Sequence, residues 1–218
     1  MAMLFWASIG LAAALVLSLI RRREYGYSLT KAVATTFLFM AMAVVGAYIM
    51  GVVEGGMLGN ISFYGSIFMV PISIVIYCLI TKEDSRKMLD YFVPQICAGL
   101  APTKIMCLVS GCCYGIKLFE KADGSVVRFP SQIIEMLASL TIMFVLVTLE
   151  KKNKFSNLHF PLFLVMYGAI RFILNCFRGD LVPFVWFLPA GHFWSIVAIV
   201  IGLMWLLLEQ KDDETITE

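Results

Sequence analysis

Charge is what this sequence has least of: 15% of its 218 residues are Asp, Glu, Lys or Arg, against 61% that are hydrophobic. Soluble domains carry about 25% charged residues, so this chain cannot cover an ordinary water-facing surface. Burial in lipid follows, and the mean hydropathy of +0.88 agrees. Histidine is nearly absent, with only His159 and His192, which leaves little for a histidine-based metal centre. A net charge of +2 offers nothing to attract a nucleic acid. No low-complexity tract and no strong repeat divides the chain. It reads as one polytopic membrane domain, residues 1–210, with a short acidic tail over 211–218.

Also missing is the order of a secretory leader, in which positive charge precedes the apolar region and a small-residue cleavage site follows it. Here the first apolar run, Met1 to Ile20, is followed by Arg21, Arg22 and Arg23, so it reads as a retained span. A hydrocarbon core about 30 Å thick needs about 20 helical residues. Seven runs approach that length: Met3 to Ile20, Ala32 to Val53, Ile61 to Ile80, Tyr91 to Ser110, Pro130 to Leu149, Leu158 to Phe177 and Phe184 to Leu208. The expected fold is an all-α integral membrane protein of about seven transmembrane helices, with glycine-rich outer loops lining a lipid-accessible cavity. Eleven of the seventeen basic residues, including Arg21 to Arg23, Lys82, Arg86, Lys87 and Lys151, fall in loops on one side. By the excess of Lys and Arg in cytoplasmic loops that side is the cytoplasm, which puts the N-terminus outside and the C-terminus inside.

The other six cations, Lys104, Lys117, Lys121, Arg128, Arg171 and Arg178, map to the outer face or the outer halves of spans four and six. Lys117 and Lys121 belong to a polar loop and need no special explanation. Lys104 and Arg171 sit inside apolar runs, where a charge costs about 2.5–3.5 kcal/mol and faces a cavity or a partner. Three clusters carry the chemistry. In the outer loop "GVVEGGMLGNISFYGS" (51–66), glycines suit either irregular backbone lining a cavity or a tight turn. In "KIMCLVSGCCYG" (104–115), Lys104, Cys107, Leu108 and Gly111 share a helix face, and Gly111 and Gly115 free the backbone around Cys112 and Cys113. After Pro130, which can open the next helix, Ser131, Gln132 and Glu135 make a polar face. Glu135 lies about a turn deep, where a buried cation is the cheapest partner. In the sixth span, Tyr167, Arg171, Asn175 and Arg178 are spaced by four, four and three, a polar stripe suited to an anion.

With these blocks the sequence resembles the prolipoprotein diacylglyceryl transferase family, seven-span enzymes of the bacterial plasma membrane that move a diacylglyceryl group from phosphatidylglycerol to a lipobox cysteine. "SFYGS" (62–66), "KIMCLVSGCCYG" (104–115), "RFPSQIIE" (128–135) and "YGAIRFILNCFRGD" (167–180) match its pattern in order, and "GHFWS" (191–195) echoes a weaker block. The departures fall at sensitive positions. The family has His where this chain has Tyr64 and Phe129, and Arg, Asn and Glu where it has Lys104, Cys107 and Cys112; a Glu that often follows the sixth-span Arg is Asn175. The resemblance implies a phospholipid substrate of phosphatidylglycerol type, a lipobox preprotein as acceptor and no cofactor. It implies catalytic roles for Arg171, Lys104 and Tyr64, and the residues themselves add Cys112 as a candidate nucleophile. Arg178, Tyr167, Gln132, Glu135, Ser131, Gly111, Gly115 and Cys113 would form the substrate site.

Such a transfer breaks a glycerol carbon–phosphate oxygen bond while a thiolate attacks, so cations at the phosphate supply the electrostatic part. Lys104 keeps a charge but lacks the bidentate fork of Arg. The thiol must lose a proton, and Tyr64 is a weak base near neutral pH. Cys112 and Cys113 admit three readings: a nucleophile at Cys112 activated by Lys104 and Arg171, a redox pair with Cys107 nearby, or small residues packed at a crowded turn. A zinc site is not expected, since His159 falls on the inner side and only His192 could join the cysteines. The alternatives to transfer are thiol chemistry at Cys112 and Cys113 on another substrate, and a phospholipid-binding protein without transfer activity.

Overall fold

The computed structural model describes residues 2–55, 61–179, 181 and 183–217, with side chains for 5–55, 61–179, 181 and 183–209 among them. Most of the outer loop 51–66 therefore falls within the described residues, but its 56–60 segment, Asp180 and the side chains of the acidic tail do not.

Seven helices follow the apolar runs: α1 (Ala2–Arg21), α2 (Leu29–Val53), α3 (Phe63–Thr81), α4 (Ser85–Ser110), α5 (Ser131–Lys151), α6 (His159–Asn175) and α7 (Ala190–Thr217). Among the described residues, five stretches, in α2, α3, α4, α5 and α7, are long and apolar enough to cross a membrane; Phe5–Arg21 and His159–Asn175 are shorter apolar helices. Polar side chains cap two of the helix starts. Ser28 caps α2 by accepting from the Lys31 N–H, and Asp84 caps α4 by accepting from Arg86 and Lys87. α4 stops at Gly111, whose φ of 66° is left-handed, the conformation glycine adopts without a Cβ penalty.

Two short hairpins interrupt the helical pattern. β1 (Lys117–Glu120) pairs antiparallel with β2 (Val126–Arg128), and β3 (Pro183–Val185) with β4 (Leu188–Pro189). The second corrects the expected seventh span. Residues from Phe184 to Pro189 are hairpin, and the helix starts only at Ala190. Two prolines within seven residues account for this, because proline gives up its backbone donor and suits a strand edge rather than a helix interior.

α4 forms the centre. Its Met88, Tyr91, Phe92 and Val93 are at most 1% exposed, packed with Phe39 of α2, Ile67, Val70 and Ile74 of α3, and Phe163 and Leu164 of α6. Outward-facing residues stay apolar, among them Leu79, Ile80, Phe144 and Leu207. An apolar exterior around a core that also holds Gln95, Thr36 and Ser18 inverts the soluble pattern and suits a lipid surround. The two ends of the bundle differ. One, the basic end, gathers the starts of α2, α4 and α6 and the ends of α1, α3, α5 and α7. The other, the hairpin end, gathers the end of α4, the starts of α5 and α7 and both hairpins.

Candidate active site

Glu135, on the second turn of α5, is 3% exposed. Its carboxylate receives three groups from two other helices: the Lys104 ammonium of α4 lies 2.9 Å from Oε1, the Tyr167 hydroxyl of α6 donates to Oε1 at 3.1 Å, and the Arg171 guanidinium of α6 donates to Oε2. The buried cation expected for Glu135 is therefore present twice. One carboxylate faces two cations, which leaves a local excess of positive charge at membrane depth, and such an excess favours an anionic ligand. Beside Lys104 a recess of about 230 Å³ opens between α4 and α5, lined by Ile105, Leu108, Gln132, Ile133 and Met136.

Tyr64 sits one ring away, its centroid 6.1 Å from that of Tyr167. Its hydroxyl is 2.6 Å from Ser195 Oγ of α7, which in turn donates to the Gly191 carbonyl at 2.6 Å. Ser195 carried no role in the sequence reading. The only sign of it was the weak "GHFWS" block, since 131 positions separate it from Tyr64. Glu54 was also passed over. It accepts from Ser62 Oγ at 2.7 Å, lies within the electrostatic reach of Arg171 and Arg178, and burial pushes its carboxyl above the ordinary value.

The cysteine loop is tied to the start of α5 by side chains. Ser131 Oγ donates to the Cys113 carbonyl and Gln132 Nε2 to the Cys112 carbonyl, both at 2.8 Å. So Ser131 and Gln132 hold the loop, and Gln132 also lines the recess beside Lys104. Gly115 is required by close approach: a Cβ there would stand 2.3 Å from the Phe129 carbonyl oxygen. Across from it, Gly115 and Arg178 form an antiparallel bridge, and the Gly179 N–H donates to the Tyr114 carbonyl at 3.1 Å. This revises the expected stripe. α6 ends at Asn175, so Arg178 lies past the helix and reaches the site region through its pairing with Gly115. Asn175 is fully buried with its amide against Gly191, on the α7 side of α6. Phe129, at a position where a histidine was looked for, stacks on Phe177 with centroids 4.9 Å apart.

The cationic influence foreseen for Cys112 falls on its neighbour instead. Burial pushes the Cys112 thiol up, whereas a hydrogen bond from the Cys107 thiol, aided by Lys104, Arg178 and Arg171, holds Cys113 down. All six cysteines are free thiols. His159 lies at the basic end, its Nε2 3.2 Å from the Lys154 carbonyl.

The deciding comparison covers nearly the whole chain: the family model described as prolipoprotein diacylglyceryl transferase matches residues 2–208. The chain belongs to that family. Among similar proteins, the phosphatidylglycerol–prolipoprotein diacylglyceryl transferase of Clostridium tetani is 31% identical over 157 residues, which cover 67% of this chain and 63% of that protein. Enzyme 2 of that name from Clostridium perfringens is 23% identical over 223 residues, covering 92% of this chain and 87% of its own. That of Chlorobaculum tepidum is 26% identical over 129 residues, covering 45% of its length. This member of the diacylglyceryl transferase family thus matches under two thirds of the Clostridium tetani protein, and the family model's match over residues 2–208 includes the helices that carry Lys104, Glu135 and Arg171.

Proposed function

We propose that this chain transfers a diacylglyceryl group from an anionic phospholipid of phosphatidylglycerol type to the thiol of a lipobox cysteine on a preprotein. The observation that carries the reading is the buried carboxylate shared by two cations and a phenol at the hairpin end. All seven helices would cross the plasma membrane of a bacterium, with the basic end cytoplasmic and the hairpin end at the outer leaflet. This orientation puts eleven of seventeen cations inside, where Lys and Arg concentrate.

Arg171 and Lys104 bind the headgroup phosphate, with Arg178 supplying further positive potential. Glu135 and Tyr167 fix the direction of the Arg171 guanidinium. The diacylglyceryl chains lie along the apolar recess beside Lys104. In the reaction a carbon–sulfur bond forms at the glycerol carbon as its bond to the phosphate oxygen breaks; glycerol phosphate leaves with the electron pair and the thiol proton goes to solvent or to the leaving group. Negative charge growing on the leaving oxygen meets guanidinium and ammonium already in place, which is the largest contribution such a site makes. Gly111 and Gly115 shape the loop that brings Cys112 and Cys113 to this region, and Tyr64 with Ser195 walls it on the α7 side.

A second reading, lipid binding without transfer, is favoured by one feature. Neither Tyr64, engaged with Ser195, nor Phe129, stacked on Phe177, offers the imidazole that the family resemblance associates with these positions. Incubating the purified protein with labelled phosphatidylglycerol and a lipobox peptide separates the two. A peptide that gains the diacylglyceryl mass supports transfer, lipid retained unchanged supports binding alone, and lipid attached to the protein itself points to a thiol of the loop.

A further inference from the structure

Three sulfurs meet at the end of α4, apart from the Glu135 cluster. Cys107 belongs to the last turn of the helix. Past Gly111 the chain folds back over that turn, so that the Cys112 N–H donates to the Cys107 carbonyl at 3.1 Å and Cys113 follows with a left-handed φ of 56°. The result brings the Sγ atoms of Cys107, Cys112 and Cys113 within 4.8 Å of one another.

The spacing is informative. A cation bound to three thiolates at about 2.3 Å in a trigonal plane sets its sulfurs about 4 Å apart, close to what the fold already provides. A disulfide would use two of these sulfurs and strand the third. The loop is also held from behind, by Ser131 on the Cys113 carbonyl and Gln132 on the Cys112 carbonyl, so the sulfurs are positioned before any ion arrives. Cys112 is exposed and Cys107 and Cys113 are half-buried, which leaves an approach path. With sulfur alone as donor, hard oxygen-seeking ions are disfavoured and soft ones preferred. Charge fits as well. Three thiolates around a monovalent or divalent ion leave a net negative complex, and Lys104 and Arg178 stand close enough to balance it. The scarcity of histidine, which argued against zinc in the sequence, does not bear on a site made of sulfur.

We propose that Cys107, Cys112 and Cys113 form a three-thiolate site for a single thiophilic d10 cation, copper(I) or zinc(II), at the outer end of α4. Binding forms three metal–sulfur bonds, and each thiol still protonated releases its proton to solvent; no electron is transferred. The site shares Lys104, Arg178 and the cysteine loop with the transferase reading, but it binds no lipid, so metal binding can be measured apart from transfer.

The test is a titration of the reduced, full-length protein in detergent with cadmium(II), followed by the sulfur-to-cadmium charge-transfer absorption. Six free thiols are counted beforehand. The expected result is a band that saturates at one cadmium per chain, is lost in Cys107→Ser and in Cys113→Ser, and is unchanged in Cys97→Ser and Cys176→Ser. Elution of each variant as a single sharp peak shows that it is folded. Competition by zinc(II) or by copper(I) under reducing conditions then identifies the preferred ion. A fully reduced wild-type protein without the band overturns the proposal. So does a band that survives replacement of all three cysteines, or one lost equally in Cys176→Ser, whose sulfur lies 3.7 Å from His192 Nε2.

Discussion

At the basic end Arg21 meets Glu150 across 129 positions of sequence; at the hairpin end Arg171 meets Glu135 across 36. Arg21 is buried, Arg171 is 12% exposed and both face a glutamate, yet their surroundings differ in balance. Arg21 donates twice to Glu150, at 2.9 and 2.6 Å, and two more of its hydrogens go to the carbonyls of Tyr91 at 2.6 Å and Asp90 at 3.2 Å. Nearby, the Asp90 carboxylate accepts from the N–H groups of Asn157 and His159, at 2.5 and 2.9 Å, and so closes the start of α6. Most of the hydrogen-bonding groups there are engaged by the fold itself, and the cluster staples α1, α4, α5 and α6. At the hairpin end one carboxylate serves Lys104 and Arg171 together, so a positive charge is left over. A recess of about 470 Å³ at the basic end, beside Asp90, Glu150 and His159, is larger than the one beside Lys104. Size and chemistry therefore point to opposite ends. The recess at the balanced end is lined by both signs of charge, whereas the smaller one beside Lys104 adjoins unbalanced charge, and that is where the proposed function puts its substrate.

This contrast breaks most sharply if the basic end is cut. Arg21→Ala leaves Glu150 buried without its cation and should destabilise the protein by about 3–5 kcal/mol, seen as a lower midpoint of thermal unfolding in detergent, while the protein that remains folded keeps its specific activity. At the other end the same change acts on the reaction. Arg171→Ala should lower transfer by about 10²–10³-fold, the loss typical of removing one group that stabilises developing charge. Arg171→Lys should recover only part of it, since the bidentate fork is lost. Unhooking the loop is milder: Gln132→Ala frees the Cys112 carbonyl and should cost about 1 kcal/mol of stability, by unfolding midpoint. The smallest effect belongs to Lys117, which pairs with Glu120 while half exposed. Lys117→Ala should change stability by no more than about 0.5 kcal/mol and leave transfer unaltered. Equal losses from Lys117→Ala and Arg171→Ala would erase the distinction between solvated and site cations.

The local half of this picture was legible in the sequence. Runs of apolar residues marked all seven helices to within a few positions, except at α4 and α7. The start of α4 lies at Ser85 because Asp84 supplies a cap, although "SRKMLD" is too polar to read as a span. α7 begins late because Pro183 and Pro189 favour a hairpin. The need of Glu135 for a cation followed from depth alone, and Lys104 and Arg171 were already suspect because each sat in an apolar run. What could not be read were pairings between distant segments. Nothing in the local pattern links Arg21 to Glu150 or Tyr64 to Ser195, since helical periodicity reports a face and not which neighbour covers it. Arg178 shows the limit of periodicity itself. Its spacing from Arg171 fits a helix, but α6 has ended three residues earlier. The cysteines were seen as a pair with a neighbour, and only the left-handed turn at Gly111 brings the three sulfurs together.

The measurement that bears most directly on the hairpin-end site is the mass of a lipobox peptide after incubation with phosphatidylglycerol and equal amounts of folded wild-type and Arg171→Ala protein. The account predicts a peptide carrying one added diacylglyceryl group with the wild type and almost none with the variant. Equal yields of modified peptide from the two proteins would contradict it.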